Sequence, residues 1–381
     1  MTAGAPLAIE MILPSLATGG METMATALAR ALARRGHRVG VTCLESEGDL
    51  AEDLRRTGIP VSLVPCPGTV PLLRPHPGLR EHFAAQPLDV VHAHNGVWVK
   101  AALAARAAGV PAVVHTAHGF AFGEPWFEDA LRWWAGLRTD MVAAVSAPLR
   151  EHLVHKARIP ASRVTTIING IDTMRFAPHG TSGILRGAVG VGPDVPLVGC
   201  VARLDPVKNL ALLIDAMALM VRDLPDARLV LVGDGPLRES LREQAQVAGL
   251  GDRVLFPGAF ADTAPIYRDL DIFVLPSVSE GTSISALEAM ASGTPVVATA
   301  VGGTPQLLGD GCGMLVPSGD AQALADAIRG LLADPTGRSR IAQAARKRVL
   351  DRFSHADMVR AYERLYRQVA GADAGATRRK A

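Results

Sequence analysis

Short runs of apolar and β-branched residues alternate with longer segments of helical periodicity along most of the chain. The segment Met21–Arg35 is typical of a helix, because Ala25, Leu28 and Leu32 share one face and Gly36 follows its end. We predict strands in the first half at Ala8–Leu13, Arg38–Cys43, Val61–Val64, Val90–Ala93, Ala112–His115, Met141–Val145 and Val164–Ile167. This alternation predicts a parallel sheet with helices on both faces.

The stretch from Pro178 to Pro196 interrupts the pattern, because it holds five glycines and three prolines and no apolar period that spans it. Beyond it we predict further strands at Leu197–Val201, Arg228–Val232, Val254–Phe256, Ile272–Leu275, Pro295–Ala298 and Met314–Val316. After Ala321 the pattern is helical throughout.

A chain of 381 residues can form two domains, each with its own core. The sequence therefore predicts an α/β protein with two doubly wound, Rossmann-like parallel-sheet domains at residues 1–180 and 181–355. We expect a C-terminal helix at 356–370 that returns toward the first domain, and a disordered tail at 371–381.

Composition removes several classes of function. Lys+Arg 39 against Asp+Glu 37 gives a net charge of +2, so we expect no nucleic-acid partner. The four cysteines form no C-x-x-C pair, which favours reduced thiols in a cytoplasmic protein. Residues 1–12 lack the basic region of a signal peptide, and no apolar run reaches the ~18 to 20 residues that cross a bilayer.

Two loops that follow predicted strands carry features of anion sites. Gly19 and Gly20 lead from the first strand into a helix, where backbone amides can bind an anion, although glycines also serve close packing of helix on strand. In the second domain Arg203 and Lys208 follow the first strand and together suit a diphosphate. Any single basic residue is more often a solvated surface residue.

The strongest chemical signal is a pair of glutamates after the strand Ile272–Leu275. Glu280 lies in a turn with Gly281, and Glu288 lies in a helix among apolar neighbours. A carboxylate near an apolar face needs hydrogen-bond donors, which the two hydroxyls of a ribose supply. The alternative, an exposed helix face, fits the turn and the apolar surroundings less well.

The same helix is predicted to begin near Ser283. The backbone amides of Thr282, Ser283 and Ile284 would then point at a phosphate, and the helix dipole would add partial positive charge.

Ten of the eleven histidines precede residue 181, and His118 follows a predicted strand at the sheet edge where ligands bind. The close pairs His92 with His94 and His152 with His155 lack the third ligand and the carboxylate of catalytic zinc patterns. We therefore expect no metal site.

Aromatic residues concentrate in one short window between residues 120 and 134. Packing of these rings into the domain is the favoured interpretation, and an acceptor-facing or lipid-facing surface is the alternative. The residues concerned are Phe120, Phe122, Trp126, Phe127, Trp133 and Trp134.

The order of several short motifs along nearly the whole chain resembles retaining glycosyltransferases of family 4, which have the two-domain GT-B fold with a central cleft. Each motif alone is common, whereas their order and spacing together are specific. The motifs are Gly19-Gly20-Met21-Glu22, Asp89 to His94, Thr116 to Gly119, Asn169-Gly170-Ile171-Asp172 with Phe176 and Pro178, Arg203 with Lys208, Leu231 to Pro236, and Glu280 with Glu288.

The resemblance implies a role for each matching residue. Arg203 and Lys208 would hold the donor diphosphate, Glu288 the ribose, and Glu280 the transferred sugar, with His118 beside the reacting centre. The Gly19-Gly20 loop would face phosphate and acceptor, and the segment Phe256-Pro257-Gly258 would approach the base. Many relatives have Phe-Gly after the Glu-Gly of the first glutamate, whereas Thr282-Ser283 follows here, which affects the expected sugar preference.

The resemblance implies a metal-independent hexosyltransferase without a cofactor. Its substrates would be a UDP- or GDP-sugar donor and a glycan or lipid-linked acceptor in cell-surface or exopolysaccharide synthesis. It implies a cytoplasmic enzyme and leaves open a peripheral association with the cytoplasmic face of the inner membrane. A nucleotide-sugar epimerase or phosphorylase on a similar framework and a non-catalytic sugar-nucleotide sensor are the alternatives.

Overall fold

The computed structural model describes residues 5–66, 74–119 and 127–371. These residues form two compact units. The first contains the described residues up to Gly119, those from 127 to Asn169, and those from Ala356 onward, and the second contains Gly170–His355. The sequence analysis places the boundary later, after residue 180. From residue 372 onward the expected tail lies outside the described residues.

Parallel strands form the sheet of the first unit in the order β3-β2-β1-β4-β5-β6-β7, which gives it seven strands. Strand β1 has Met11 opposite Val41 on one side and opposite His92 on the other. The strands are β1 (Ala8–Leu13), β2 (Arg38–Cys43), β3 (Val61–Leu63), β4 (Val90–Ala93), β5 (Ala112–Ala117), β6 (Met141–Ala144) and β7 (Val164–Thr166).

The helices of this unit pack apolar faces toward the sheet. In the first of them, Ala25, Leu28 and Leu32 are buried, as the hydrophobic spacing predicts. The helices are α1 (Gly20–Arg34), α2 (Leu50–Arg56), α3 (Pro77–Ala84), α4 (Trp98–Ala107), α5 (Glu128–Gly136) and α6 (Ala147–His155).

The second unit contains a parallel sheet of six strands in the order β10-β9-β8-β11-β12-β13. Its strands are β8 (Leu197–Val201), β9 (Arg228–Val232), β10 (Val254–Gly258), β11 (Ile272–Leu275), β12 (Val296–Thr299) and β13 (Met314–Val316). Its helices are α7 (Ile184–Val189), α8 (Leu210–Met220), α9 (Arg238–Val247), α10 (Ala264–Arg268), α11 (Ile284–Ala291), α12 (Thr304–Leu308), α13 (Ala321–Ala333) and α14 (Pro335–Arg352). Apolar residues of α8 and α13 bury one face of this sheet.

The predicted fold class, two Rossmann-like parallel-sheet domains, is confirmed. Several strand ends differ by one or a few residues, and the sequence analysis missed the helix α7 inside the glycine-rich stretch. The Asp269 carboxylate accepts hydrogen bonds from the backbone amides of Ser182, Gly183 and Leu185 at the start of α7. Because this capping group comes from residue 269, local sequence pattern cannot show it.

The helix α15 (His355–Val369) belongs to the first unit from Ala356 onward. Two fully buried tyrosines connect it to the sheet: the Tyr366 hydroxyl lies 2.7 Å from His92 Nδ1, and the Tyr362 hydroxyl lies 2.9 Å from Thr116 Oγ1. The first unit is therefore built from both ends of the chain.

Candidate functional site

Each sheet has one point where the order of its strands reverses. In the second unit this switch point lies between β8 and β11, and in the first it lies between β1 and β4. Ligands of open α/β sheets bind beyond the carboxyl ends of the strands at such points. The predicted site residues follow these strands or the neighbouring β5.

The loop after β8 positions both predicted cations of the second unit. Arg203 is exposed, and its Nε donates to Asp205 Oδ2 at 3.0 Å. Asp205 also caps the short 3₁₀ turn Pro206–Lys208, because its carboxylate accepts from the backbone amide of Lys208 at 3.2 Å. One acidic residue thus orders the loop and orients the guanidinium.

Lys208 and Glu280 form an ion pair between the two loops at the switch point. The distance from Lys208 Nζ to Glu280 Oε1 is 2.7 Å, and the Ser277 hydroxyl donates to the same oxygen at 2.7 Å. Burial alone would lower the pKa of Lys208, but the nearby Glu280 carboxylate outweighs burial, so the pKa is raised and the ammonium stays charged. The backbone of Val278 donates to Val207 at 2.9 Å and joins the loops directly.

A third loop, after β12, packs against the backbone of Glu280. Gly302 has φ +51°, and a Cβ at this position would lie well inside van der Waals contact with the carbonyl oxygen of Glu280. The amide of Gly303 donates to the same carbonyl at 3.3 Å. A glycine is therefore required here both by backbone conformation and by space.

Helix α11 begins as the sequence predicts. The Ser283 side chain caps it by accepting from the backbone amide of Ala286 at 3.3 Å, and Gly281 is buried in the turn before it. Thr282 and Ile284 are partly exposed. The first amides of this helix carry the partial positive charge of a helix N-terminus.

Glu288 is buried within α11, and its partner is a tyrosine rather than a cation. The Tyr267 hydroxyl donates to Glu288 Oε2 at 2.6 Å. Burial raises the pKa of Glu288 to about 7, against the lowering effect of the Tyr267 hydrogen bond, of nearby Arg175 and of the Thr263 side chain. Further hydrogen-bond donors would stabilise the charged form of this buried carboxylate.

In the first unit, Gly19 and Gly20 begin α1 after β1. Gly19 is the N-cap residue in an extended conformation, and the structure shows no side-chain cap at this terminus among the described residues. The carboxylate of Glu22 lies where a Cβ on Gly19 would point.

His118 lies in the same unit, directly after Ala117, the last residue of β5. Its Nε2 is 2.9 Å from His94 Nδ1, and the two rings stack with centroids 5.1 Å apart. Burial lowers the pKa of His118 to about 3, so the ring is neutral at physiological pH. Asn95 fixes the backbone, since its Oδ1 accepts from the His118 amide at 3.1 Å.

The structure brings Lys208 and Glu280 into direct contact, whereas Arg203 and Glu288 have other partners. Sequence reasoning missed Ser277, Tyr267 and His94 as partners of predicted site residues. His94 stood in a motif, but the tyrosine gave no signal because it is 21 positions from Glu288.

Within the described ranges, no group of three or more His, Cys, Asp or Glu residues is arranged to hold a metal ion. In the first close pair, His92 with His94, both ring nitrogens of His92 already have partners, Thr116 and Tyr366. In the second pair, the Nε2 atom of His152 lies 2.9 Å from Asp129 Oδ1.

Comparison with known families assigns each half of the chain. The model described as Glycosyltransferase Family 4 matches residues 18–175, and the model described as Glycosyl transferases group 1 matches residues 184–348.

Two curated relatives are mannosyltransferases. The chain is 36% identical to the lipopolysaccharide core biosynthesis mannosyltransferase LpsB of Rhizobium meliloti over 189 residues, which is 48% of this chain and 53% of that protein. It is 35% identical to the GDP-mannose-dependent alpha-(1-6)-phosphatidylinositol monomannoside mannosyltransferase of Mycolicibacterium smegmatis over 263 residues, which is 65% of this chain and 68% of that protein. The aligned region thus spans about half of the first relative and two thirds of the second.

A solved structure matches over more of the chain. The HepE protein of Anabaena, crystallised with UDP and glucose, superposes with a TM-score of 0.84 at 25% identity and covers 94% of this chain and 99% of its own.

The two doubly wound sheets and these matches define a glycosyltransferase with the GT-B fold. The chain belongs to glycosyltransferase family 4. The epimerase and sensor alternatives are not favoured, because the relatives are transferases. None of the helices in the described part of the chain has the length and apolar character to cross a membrane.

Proposed function

We propose that this glycosyltransferase moves a hexosyl group from a UDP- or GDP-sugar to a glycan or lipid-linked acceptor, with retention of the anomeric configuration. The observation that carries the proposal is the Lys208–Glu280 pair at the switch point of the second sheet. The GDP-mannose dependence of one relative and the UDP and glucose in HepE support the two nucleotides. The lipopolysaccharide role of another relative supports a cell-surface glycan as product.

The donor-binding role is divided among the loops of the second unit. Lys208 and Arg203 bind the diphosphate, and the amides from Gly281 to Ile284 at the start of α11 add hydrogen bonds to it. Glu288 accepts hydrogen bonds from the ribose hydroxyls. Glu280, held by Ser277, binds the hydroxyls of the transferred sugar.

Breaking the bond between sugar and phosphate places negative charge on the leaving diphosphate and positive character on the sugar. In our proposal Lys208, Arg203 and the helix amides stabilise the diphosphate without a metal ion. Glu280 lies on the sugar side and favours the developing positive charge. We assign His118 to the reacting centre, and the Gly19-Gly20 turn of the first unit to the phosphate and the acceptor.

Substitution of Lys208 tests the donor site. We expect Lys208→Ala to weaken UDP or GDP binding by about 10- to 100-fold, because one charge-assisted hydrogen bond contributes ~1.5 to 3 kcal/mol. Thermal-shift titration of the full chain with UDP, GDP, ADP and dTDP identifies the preferred nucleotide, and isothermal titration gives its affinity. Release of nucleoside diphosphate from UDP-glucose and GDP-mannose measures donor cleavage.

Lys347→Ala is the matched control, since Lys347 is exposed and pairs with Asp351 one helical turn away. It should change neither nucleotide affinity nor the melting temperature appreciably. If none of the four nucleotides raises the melting temperature of the unaltered protein, the proposed donor site is wrong.

We further propose that the enzyme acts in the cytoplasm with α5 resting on the inner membrane. Phe127 and Trp133 are each 45% exposed and Leu137 is 47% exposed, while Arg138 stacks 3.7 Å over the ring of Trp134. These exposures depart from the packing that the sequence analysis favours, and Phe120, Phe122 and Trp126 lie outside the described residues. Aromatic rings beside arginine suit the headgroup region of a bilayer.

Sedimentation with vesicles tests the membrane proposal. We expect the protein to sediment with phosphatidylglycerol vesicles and Trp133→Glu to reduce the bound fraction several-fold, because a charge replaces an interfacial ring. The exposed Val247 of α9 provides a control through Val247→Glu, which should leave sedimentation unchanged. Equal binding by all three proteins would contradict the role of α5.

A further inference from the structure

Histidines cluster at the carboxyl ends of β4 and β5 in the first unit. His94 Nδ1 lies 2.9 Å from His118 Nε2, and the His92 and His94 rings lie 4.3 Å apart between centroids. His92 has partners at both nitrogens, and His115 Nδ1 lies 3.0 Å from the carbonyl oxygen of Ala93. By contrast, His94 Nε2 is buried and has no hydrogen-bond partner among the described residues.

The contact between His94 and His118 holds a single proton. Burial lowers the pKa of His94 well below its usual value and that of His118 to about 3, so both rings are neutral near pH 7. A neutral imidazole carries its proton on one nitrogen and accepts at the other. One ring therefore donates across the 2.9 Å contact and the other accepts.

The buried Nε2 of His94 decides which ring donates. If His94 carried its proton on Nε2, an N–H donor would be buried without an acceptor among the described residues. Among buried backbone groups, orphaned N–H donors are rarer than under-satisfied acceptors, and a buried donor left unpaired costs ~1 to 3 kcal/mol. The proton of His94 therefore belongs on Nδ1, which donates to Nε2 of His118.

We propose that His94 is a positioning residue that fixes His118 in the tautomer with its proton on Nδ1, so that His118 meets the substrate as a hydrogen-bond donor. This inference rests on the proposed function for its catalytic meaning, but the tautomer itself does not depend on the reaction. Although its surroundings desolvate the ring, His118 keeps part of its surface exposed, and no hydrogen-bond partner lies at its Nδ1 in the described part of the chain. Asn95 fixes the backbone that carries the ring, because it accepts from the amide of His118 and donates to the carbonyl of Gly119.

The consequence concerns the chemistry of the site. A ring with Nδ1–H can donate to a sugar or acceptor oxygen, but it has no lone pair at that nitrogen with which to remove a proton. His118 then stabilises an oxygen atom and does not act as the general base. The acceptor proton must leave by another group, for which the departing diphosphate oxygen is chemically suited.

Nitrogen NMR of the full chain with ¹⁵N-labelled histidine tests the tautomer directly. His118→Gln assigns the His118 signals. We expect the ¹⁵N chemical shift of a protonated nitrogen at Nδ1 of His118 and that of an unprotonated nitrogen at Nε2. Neither shift should change between pH 6 and 8. The opposite pattern, or a ring that titrates in that range, overturns the proposal.

Two variants at residue 94 test positioning. The amide nitrogen of asparagine occupies the place of Nδ1, so His94→Asn should keep the donor and the tautomer of His118, whereas His94→Leu should mix the tautomers. We expect donor cleavage, measured with UDP-glucose and GDP-mannose, to fall ~10-fold or more in kcat for His94→Leu and to be largely restored in His94→Asn. Equal losses in both variants would overturn the positioning role.

His115→Leu is the control for loss of a buried imidazole, since His115 stacks on Trp98 with centroids 3.9 Å apart. It should lower the melting temperature and leave the tautomer of His118 unchanged. A change of tautomer in this variant would contradict a specific role for His94. If the unaltered protein cleaves neither donor sugar, the proposed function fails while the NMR result still decides the tautomer.

Discussion

Burial and charge act differently on the two glutamates of the proposed donor site. Glu280 is paired with the Lys208 ammonium and accepts from Ser277, so its charge is compensated. Glu288 has the neutral Tyr267 hydroxyl at 2.6 Å, and burial raises its pKa to about 7. The protein without nucleotide therefore holds one carboxylate that is compensated and another whose charge is costly.

The pKa of Glu288 predicts a pH-dependent effect of Glu288→Gln. The pKa of Glu288 is about 7 in the folded chain and 4.5 in the unfolded chain, so the group contributes its full stability below pH 4.5. This contribution is lost as the pH rises from 4.5 through about 7. The neutral glutamine avoids that loss. We expect Glu288→Gln to be more stable than the unaltered protein by ~3 kcal/mol at pH 8.5 and by much less at pH 5.

Urea unfolding at the two pH values measures this difference. The exposed Glu239 supplies a control, because Glu239→Gln should show no comparable pH dependence. Nucleotide affinity should move in the opposite direction and fall in Glu288→Gln, since the charged acceptor for the ribose is lost. A stability difference that is independent of pH would refute the raised pKa.

At the scale of elements, the loops after three strands form the proposed donor site. The loops after β8 and β11 meet through the Val278–Val207 hydrogen bond, and the loop after β12 packs against the carbonyl of Glu280. Parallel strands place these loops at one edge of the sheet, and the switch point brings the first two side by side.

Gly302→Ala tests the packing of the third loop. Gly302 and Gly311 both have positive φ, +51° and +75°, but a Cβ at Gly311 meets nothing within 4 Å. Both alanine variants should lose ~1 kcal/mol from backbone strain, and Gly302→Ala should lose a further ~2 kcal/mol because the Glu280 backbone must move. Chemical unfolding gives the two losses, and nucleotide titration should show weaker binding only for Gly302→Ala.

On the scale of the whole molecule, the chain forms two units with separate sheets. The first includes the residues from Ala356 onward, where Tyr362 and Tyr366 are fully buried. The second has its own apolar core around α8 and α13. We therefore expect each unit to unfold cooperatively by itself.

Scanning calorimetry should separate the two units. We expect the preferred nucleotide to raise the transition of residues 170–355, because the proposed donor contacts lie there. Tyr366→Phe leaves Nδ1 of buried His92 without its partner. We expect this variant to lower the free energy of unfolding of the first unit by ~1 to 2 kcal/mol, and so to lower the temperature of that unit's transition. A single transition that responds to both changes would contradict separate unfolding.

Much of the fold was predictable because parallel strands are buried on both faces and appear as apolar runs. Strands β1, β2, β4, β8, β9, β11 and β13 have the predicted bounds. Helix α7 was not predictable, because Asp269 caps it from a distance along the chain. Within the site, Lys208 and Glu280 could be named, whereas their contact and its support by Ser277 could not.

The sequence alone determined the class of the fold and its alternation of strands and helices, and it named the residues proposed to bind a diphosphate and a ribose, because periodicity and residue chemistry are local properties. Tertiary structure decided which of these side chains share a hydrogen bond and which are buried. It paired Glu288 with Tyr267 and His118 with His94. Protonation depends on burial and on neighbours that are distant in the chain, so the charge of Glu288 and the tautomer of His118 follow only from the folded chain.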